Sequence, residues 1–337
     1  WLSLWLKLLG ADVIGYSLPP PTNPSLYAVT SVENLIFANY YNDIRDVDSL
    51  EKALKEARPE IVIHMAAQPL VRESYVSPAD TYAINVMGTV NLLQAILAVP
   101  TVRAVLNVTT DKCYENHEWV WSYRENDPMG GYDPYSSSKA CSELICAAYR
   151  RSYYQQSGIA LATARAGNVI GGGDWAKDRI VPDTMRAFSR GKALVIRNPQ
   201  AVRPWQHVLD PLYGYLLLCE KMFYQPENFS GAWNFGPAAS DIKPVSKLVD
   251  LMTGIWGENA SWSIDSNTHL HEANELRLDT TKANTVLGWR PTWNLYLSLE
   301  KTIQWYKAKL NNQNMSDFSL AQIRQYQSDY EHAVESI

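Results

Sequence analysis

The sequence is poor in cysteine, has no excess of basic residues and lacks a long apolar run, and each shortage excludes a class of protein. The four cysteines form neither a C-x-x-C pair nor a metal-ligand spacing, so we expect free thiols in a reducing cytoplasm. The net charge of -5 offers no general attraction to nucleic acid or to anionic membranes. The apolar opening WLSLWLKLLG is roughly nine residues long, whereas a membrane span needs about 20.

The alternation of apolar and amphipathic segments predicts the fold of the first half of the chain. Of the 337 residues, 46% are hydrophobic, which suffices for a large buried core. We predict helices at 1–9, 47–58, 79–98 and 134–157, and strands at 11–17, 37–43, 60–67, 104–109 and 159–167. Continuous apolar strands separated by helices are typical of a doubly wound α/β domain with a parallel Rossmann-type sheet.

After about residue 170 the pattern changes, because glycines and prolines interrupt it. We expect shorter helices and strands there, forming a smaller α/β substrate lobe. The predicted domains are residues 1–170 for dinucleotide binding and 171–337 for the substrate, with some chain exchange between the lobes. Ligands of open α/β sheets bind at the carboxyl ends of the strands. Polar groups at four such ends should therefore converge on one crevice: Asp43, Ala66–Gln68, Thr109–Lys112 and Ala166–Asn168.

Two short segments carry the candidate chemistry. In NVTTDKCYENH a predicted buried strand ends abruptly in Thr110, Asp111 and Lys112. In YSSSK, Tyr135 and Lys139 are spaced i, i+4 near the start of the next helix and so share one face. A Y-x-x-x-K spacing alone is weak, because tyrosine and lysine are common. Its place at the start of the helix that follows the Thr110 strand favours an active site over a solvated helix turn.

These residues resemble the active site of the extended short-chain dehydrogenase/reductase family. The segment Asn85-Val86-x-Gly88-Thr89 resembles that family's helix motif. Further segments resemble, more narrowly, the CDP-glucose 4,6-dehydratases among its nucleotide-sugar enzymes: TTDKCY, GGYDPYSSSKACSE, RAGNVIGGGDWAKDRIVPD, IRNP and RPWQHV. The resemblance covers essentially the whole chain.

The resemblance implies NAD as the cofactor, although the sequence itself shows neither an acid nor an arginine cluster that would separate NAD from NADP. It also implies which residues contact the dinucleotide: Asp43, Ile44, Ala66, Ala67, Gln68, Asn85, Thr109, Tyr135 and Lys139. The family carries a glycine-rich phosphate loop between its first strand and first helix, and the printed sequence begins within that helix. We therefore expect this chain to lack the loop and an inner strand and to bind dinucleotide poorly.

The implied reaction is dehydration of CDP-glucose to CDP-4-dehydro-6-deoxyglucose, which would supply deoxysugars for surface polysaccharides such as O-antigen. Tyr135 would remove the 4-hydroxyl proton, assisted by Lys139, while Thr110 hydrogen-bonds the 4-oxygen. Asp111 would then protonate the departing 6-hydroxyl and Lys112 would take the C5 proton. Burial favours the uncharged form of both groups, whereas a direct ion pair would favour both charges.

The second lobe would anchor the nucleotide. Arg203 resembles the arginine that clamps the phosphates, for which a bidentate guanidinium is suited. Further substrate contacts are expected from Asn168, Arg179, Ile196, Asn198 and His207. His207, His271 and Glu272 carry a weaker expectation, since a lone histidine is more often structural. No metal site is expected.

Two classes of alternative stay open at this stage. Another nucleotide-sugar enzyme, such as a dTDP-glucose 4,6-dehydratase, a decarboxylase or a 4-epimerase, would share the scaffold. An epimerase, however, has no need of Asp111 and Lys112. A non-catalytic dinucleotide-binding protein would have no need of the catalytic set at all. Because family members pair through two long helices, we also expect a homodimer built on 79–98 and 134–157.

Overall fold

The computed structural model describes residues 1–257, 260–265 and 275–335 of the chain. In this part of the chain twelve strands, β1 to β12, follow one another. Their bounds are Ile14–Ser17, Ala38–Tyr41, Ile61–His64, Ala104–Val108, Ala160–Ala166, Val169–Ile170, Leu194–Ile196, Val202–Pro204, Gln206–His207, Gly231–Phe235, Ile242–Pro244 and Trp262–Ile264.

The helices α1 to α14 lie between and after these strands. Their bounds are Leu2–Leu8, Leu26–Val29, Val47–Ala57, Val71–Val76, Pro78–Tyr82, Gly88–Ile96, Pro134–Tyr149, Gln155–Ser157, Ile180–Phe188, Leu209–Tyr224, Pro226–Phe229, Val245–Trp256, Leu295–Leu310 and Met315–Glu335. None of the helices in the described ranges is long and apolar enough to cross a membrane.

A four-stranded parallel sheet in the order β10-β5-β4-β3 forms the centre of the molecule. Strands β4 and β5 are buried on both faces, as their apolar, alanine-rich sequences require, and Ala104 pairs with Ala160 in register. The parallel pair β1-β2 forms a separate sheet within the described residues. The predicted parallel α/β architecture and the helices and strands of the first half are thereby confirmed.

The two long predicted helices are present and each is interrupted by a wider turn. Between α5 and α6 a π-helical turn spans Ala83–Met87, and a second one, Arg150–Tyr154, joins α7 to α8. Helix α7 begins at a well-defined cap, because the Asp133 carboxylate accepts the main-chain N–H of Ser136 at 2.9 Å and Pro134 follows at the first helical position. This cap fixes the start of the helix and so the positions from which the side chains of Tyr135 and Lys139 project.

The second half of the chain differs from the expectation in the length of its helices. We predicted shorter elements there, but α10 and α13 have 16 residues each and α14 has 21. The prediction was wrong because glycines and prolines of the intervening loops hid the helical periodicity of the segments beyond residue 208. Strand β10 pairs with β5, so the chain beyond residue 170 supplies one strand of the central sheet.

Candidate active site

Strand β4 ends at the candidate active site in a tight turn. After Val108 the chain passes Thr109 and enters a short 3₁₀ turn at Asp111–Cys113, for which Thr110 is the cap residue. Thr110 is 5% exposed and Asp111 is fully buried, whereas the Lys112 side chain is 30% exposed. The acid and the base are therefore neighbours in sequence but differ in their access to water.

Tyr135 and Lys139 face this turn from α7. Tyr135 lines the same cavity as Thr110, and the Lys139 ammonium donates to the main-chain oxygen of Val108 at 3.0 Å. Burial raises the pKa of Tyr135 to about 12, opposed by the nearby Thr110 hydroxyl and by the charge of Arg179. Burial lowers the pKa of Lys139 to about 8. The two groups are thus driven toward their uncharged forms.

A chain of hydrogen bonds connects the reactive groups. The Thr110 hydroxyl donates to Asp111 Oδ1 at 3.1 Å, and Lys112 Nζ donates to the same oxygen at 3.1 Å. The other carboxylate oxygen, Asp111 Oδ2, is buried and has no partner among the described residues. A buried carboxylate oxygen without a partner is costly unless a ligand supplies one.

A second network lies one helical turn deeper, behind Lys139. Glu143 forms a buried ion pair with Arg165 at 2.8 Å. Its carboxylate also accepts the hydroxyls of Thr109, at 2.5 Å, and Thr163, at 2.7 Å. These bonds tie α7 to the ends of β4 and β5, so Glu143 holds the helix that carries Tyr135 and Lys139 against the strands.

The residues predicted to contact the cofactor include two groups that follow strand ends, Asp43 after β2 and Ala66–Gln68 after β3. The Asp43 carboxylate forms an ion pair with Arg45, whose hydrogen bonds lower the pKa of Asp43. Asn85 accepts the main-chain N–H of Gln68 at 2.8 Å and donates to Ser138 on α7 at 2.9 Å, which fixes the segment after β3 against the active-site helix. The neighbouring Ala66 and Ala67 belong to that segment. Ile44 is buried.

Two adjoining cavities open beside the turn, with volumes of about 1140 and 570 Å³. The smaller one is lined by Thr110 and Tyr135 and by the predicted substrate residues Ile196 and Asn198. Residues that line both cavities form the boundary between them: Pro69, Val71, Lys112, Asn168, Asp178, Arg179, Arg197 and Arg203. This boundary carries four cations and one carboxylate, which suits a ligand with several negative charges.

The structure also shows where the sequence analysis missed residues. Asp178 Oδ1 accepts from Arg72 at 3.4 Å and from Arg197 at 3.2 Å, and so joins α4 to the loop after β7. Arg197 lies within the IRNP segment, but a sequence cannot show that Asp178 and Arg72 reach it. Arg179, which the sequence predicts as a substrate contact, forms an ion pair with Asp174 at 3.0 Å.

His207 does not reach the cavities. It is fully buried, its ring packs edge-on against Trp293 with centroids 4.7 Å apart, and its Nδ1 accepts the main-chain N–H of Leu209 at 3.3 Å. It lines neither cavity, so we leave it out of the substrate contacts. The RPWQHV segment turns inward after Arg203, which the one-dimensional pattern did not reveal. His271 and Glu272 lie outside the described residues.

Comparison with known proteins identifies the family. The sequence profile described as GDP-mannose 4,6 dehydratase matches residues 24–302. This chain belongs to that family. It is 50% identical to the CDP-glucose 4,6-dehydratase of Salmonella typhimurium over 333 residues, 97% of this chain and 92% of that protein. It is 27% identical to the UDP-glucose 4-epimerase of Halalkalibacterium halodurans over 284 residues, which cover 80% of this chain and 82% of the epimerase.

Solved structures of nucleotide-sugar enzymes share the fold. A dTDP-glucose 4,6-dehydratase from Streptomyces venezuelae superposes with a TM-score of 0.77 and 24% identity, covering 93% of this chain and 95% of that one. A UDP-glucuronic acid 4-epimerase from Bacillus cereus superposes with a TM-score of 0.79 and 22% identity, covering 91% and 95%. Dehydratases and epimerases thus share this scaffold, and the residues at the end of β4 have to distinguish them.

Proposed function

We propose that this member of the dehydratase family converts CDP-glucose to CDP-4-dehydro-6-deoxyglucose and water, with NAD reduced and reoxidised within each turnover. The partnerless, buried Asp111 Oδ2 beside Thr110 and Tyr135 carries the proposal. A 4-epimerase needs only a base for the 4-hydroxyl, whereas a dehydratase also needs an acid for the 6-hydroxyl. The 50% identical Salmonella relative favours cytidine as the base.

The residues present fit a dinucleotide at the carboxyl edge of the sheet. Lys139 is buried there with an ammonium that has three donors, one of which reaches Val108, so that ribose hydroxyls can accept from the others. Asp43 follows the carboxyl end of β2, and Gln68 follows that of β3. When bound, NAD accepts the hydride from C4 and returns it to C6. The Streptomyces venezuelae dehydratase was solved with NAD bound.

Tyr135 acts first, as the base that takes the 4-hydroxyl proton. Because burial raises the pKa of Tyr135 to about 12, its phenolate needs support from the surroundings. The nearby Thr110 hydroxyl and the positive charge of Arg179 both lower this pKa. Lys139, on the same helix face one turn later, adds a further positive charge when it is protonated.

Asp111 and Lys112 then carry out the elimination. The required pair is a neutral carboxylic acid and a neutral amine, yet the two groups are 3.1 Å apart and would form an ion pair. Transfer of one proton from Lys112 Nζ to Asp111 Oδ1 converts the ion pair into the required neutral pair without changing the net charge. Lys112 can then accept the C5 proton while Asp111 donates to the 6-hydroxyl, which leaves as water. Both groups return to their charged forms. Lys112 then gives a proton that has exchanged with water to C5 as the hydride returns to C6, and the proton that Tyr135 took from the 4-hydroxyl restores Lys112 by way of the solvent.

The test is a product assay in heavy water. The protein is incubated with NAD⁺ and CDP-, dTDP-, UDP- or GDP-glucose, and the products are identified by mass spectrometry and by proton NMR, which separates glucose from galactose. Loss of one water from CDP-glucose, with one solvent deuterium gained at C5, is the expected result. Turnover of a different nucleotide sugar would keep the proposed reaction but replace CDP-glucose as its substrate. Conversion of glucose to galactose without water loss would replace the proposal with an epimerase.

We also propose a homodimer that works in the cytoplasm. Apolar side chains on the two long helices are exposed in the single chain: Tyr82 by 37%, Met87 by 52%, Leu144 by 59% and Tyr153 by 50%. A second copy of these helices would cover them, as in a four-helix dimer core. The four cysteines are free thiols, which suits a reducing compartment. Light scattering of the purified protein and of its Leu144→Glu variant tests the dimer.

A further inference from the structure

One carboxylate ties two walls of the cleft together. Asp178, in the loop before α9, accepts hydrogen bonds at its Oδ1 from Arg72 at 3.4 Å and from Arg197 at 3.2 Å. Arg72 lies on α4, which follows β3, whereas Arg197 follows β7. A single carboxylate oxygen therefore bridges two segments that are remote from each other in the sequence.

The two guanidinium groups belong to the surface that a polyanionic ligand would meet. Asp178 and Arg197 line both cavities, and Arg72 lines the larger one. Carboxylate and phosphate oxygens accept from the same guanidinium donors. A nucleoside diphosphate bound at the boundary of the cavities would therefore have to compete with Asp178 for these donors.

The ion pairs of Asp178 are weak enough to be exchanged. Their distances exceed the roughly 2.7–2.9 Å of strong charge-assisted hydrogen bonds. The side chains of Asp178, Arg72 and Arg197 are 49%, 35% and 25% exposed, so water screens their charges. Ion pairs of this kind change an equilibrium by about fivefold at most.

The loop nevertheless keeps the carboxylate close to the arginines. Asp174 braces the loop from within, because it accepts the main-chain N–H of Ala176 at 2.9 Å and a hydrogen bond from Arg179 at 3.0 Å. Asp178 has a φ of 59°, a left-handed conformation that aspartate adopts more readily than most residues. A carboxylate tethered in this way competes at a high effective concentration.

Such a competitor is useful when the product leaves. The proposed dehydration alters the glucosyl unit alone, so the product carries the same diphosphate as the substrate and is held by the same cations. When the diphosphate departs, partly buried guanidinium groups lose their counter-charge, which is costly. A carboxylate that takes over these groups as the phosphates leave removes this cost.

We propose that Asp178 is a positioning residue that replaces the departing diphosphate on Arg72 and Arg197 and so speeds release of the product. This inference rests on the proposed function for the identity of the ligand. No covalent bond changes in the exchange, since the two guanidinium groups replace one anion with another. Asp178 thereby raises the dissociation rate, whereas the association rate depends on the charge of the whole cleft.

Asp178→Asn tests the exchange, because asparagine keeps the shape, tolerates the left-handed φ and removes the charge. The protein is loaded with CDP that carries a fluorescent group on its ribose, and excess unlabelled CDP displaces it in a stopped-flow instrument. The dissociation rate should fall about threefold in the variant, since exposed ion pairs contribute up to about fivefold. Asp178→Gly, which tolerates the same φ and has no side chain, should show at least the same fall.

Glu73→Gln is the matched control. Glu73 is an exposed carboxylate that lines the larger cavity and forms no ion pair among the described residues, so the variant removes one charge without breaking the bridge. It should leave the dissociation rate unchanged. An unchanged dissociation rate in both Asp178 variants, or an equal fall in Glu73→Gln, would overturn the inference.

The same material separates this inference from the proposed function. A dehydration assay that fails with bound CDP-glucose would refute the proposed function and leave the displacement rates as they are. A wild-type protein that binds no CDP would refute both.

Discussion

Glu143→Gln is the most informative single change in the protein, because it removes one charge and hardly alters the shape. The carboxylate lies four residues beyond Lys139 on α7, is 4% exposed, and pairs with the equally buried Arg165 at 2.8 Å. Glutamine can still accept from one of the two threonine hydroxyls, which donate to different oxygens of Glu143, but it leaves the guanidinium without a counter-charge. The substitution therefore separates the electrostatic role of Glu143 from its packing.

The substitution should lower the stability of the protein and the pKa of Lys139. Breaking a buried ion pair by neutralising one partner costs about 3–5 kcal/mol, a large part of the roughly 5–15 kcal/mol that stabilises a typical domain. In addition, Glu143 raises the pKa of Lys139 against the effect of burial. Without it, Lys139 should lose its proton below the present pKa of about 8. A change of one pKa unit corresponds to about 1.4 kcal/mol between the two protonation states.

Urea denaturation measures the first effect, and NMR of protein labelled with ¹³C at lysine Cε measures the second. The Lys139 resonance is assigned from a Lys139→Arg variant. The double variant Glu143→Gln/Arg165→Met is the matched control, since it removes both charges. It should regain most of the lost stability, while Lys139 still titrates at the lower pH.

The lowered pKa of Lys139 also makes the stability of the protein depend on pH. The folded pKa of Lys139, about 8, lies below its ordinary value of 10.5. Burial of the ammonium therefore weakens the protein at neutral pH, and this penalty disappears as the pH rises through the interval between these values. Glu143→Gln should extend the interval downward. A Lys139 titration that is unchanged in the variant, together with a stability loss below about 1 kcal/mol, would refute the reasoning.

Three further predictions follow from the site. Asp178→Asn should release Arg72 and Arg197 for a diphosphate and tighten CDP binding about threefold by calorimetry, without affecting cytidine; weaker CDP binding would contradict this. His207→Phe should make the protein lose less stability on acidification. Burial lowers the pKa of His207 from 6.5 to about 3, so stability that is present above pH 6.5 is lost as the pH falls from 6.5 to about 3. Urea midpoints that fall in parallel for both proteins over this pH range would refute the prediction. Tyr135→Phe should reduce turnover by about 10²- to 10⁴-fold, and activity near that of the wild type would exclude the phenol as the base.

The sequence predicted the catalytic side of the site because its residues are close together along the chain. A buried apolar strand has to surface at its carboxyl end, which places Thr110, Asp111 and Lys112 at the edge of the sheet. The i, i+4 spacing of Tyr135 and Lys139 puts both on one helix face. Periodicity likewise predicted the alternating strands and helices of the first half, since each buries an apolar face on the same sheet.

Contacts between distant segments were decided by the tertiary structure alone. Asp178 meets Arg72 across 106 positions of sequence, and Glu143 meets Arg165 across 22, so neither pairing has a local signal. The same holds for β10, which returns to the central sheet from the second lobe, and for His207, which turns into the core instead of the cleft. Local spacing and periodicity determined which chemistry the chain carries. Packing determined which charges meet, because burial and ion pairing depend on the whole fold.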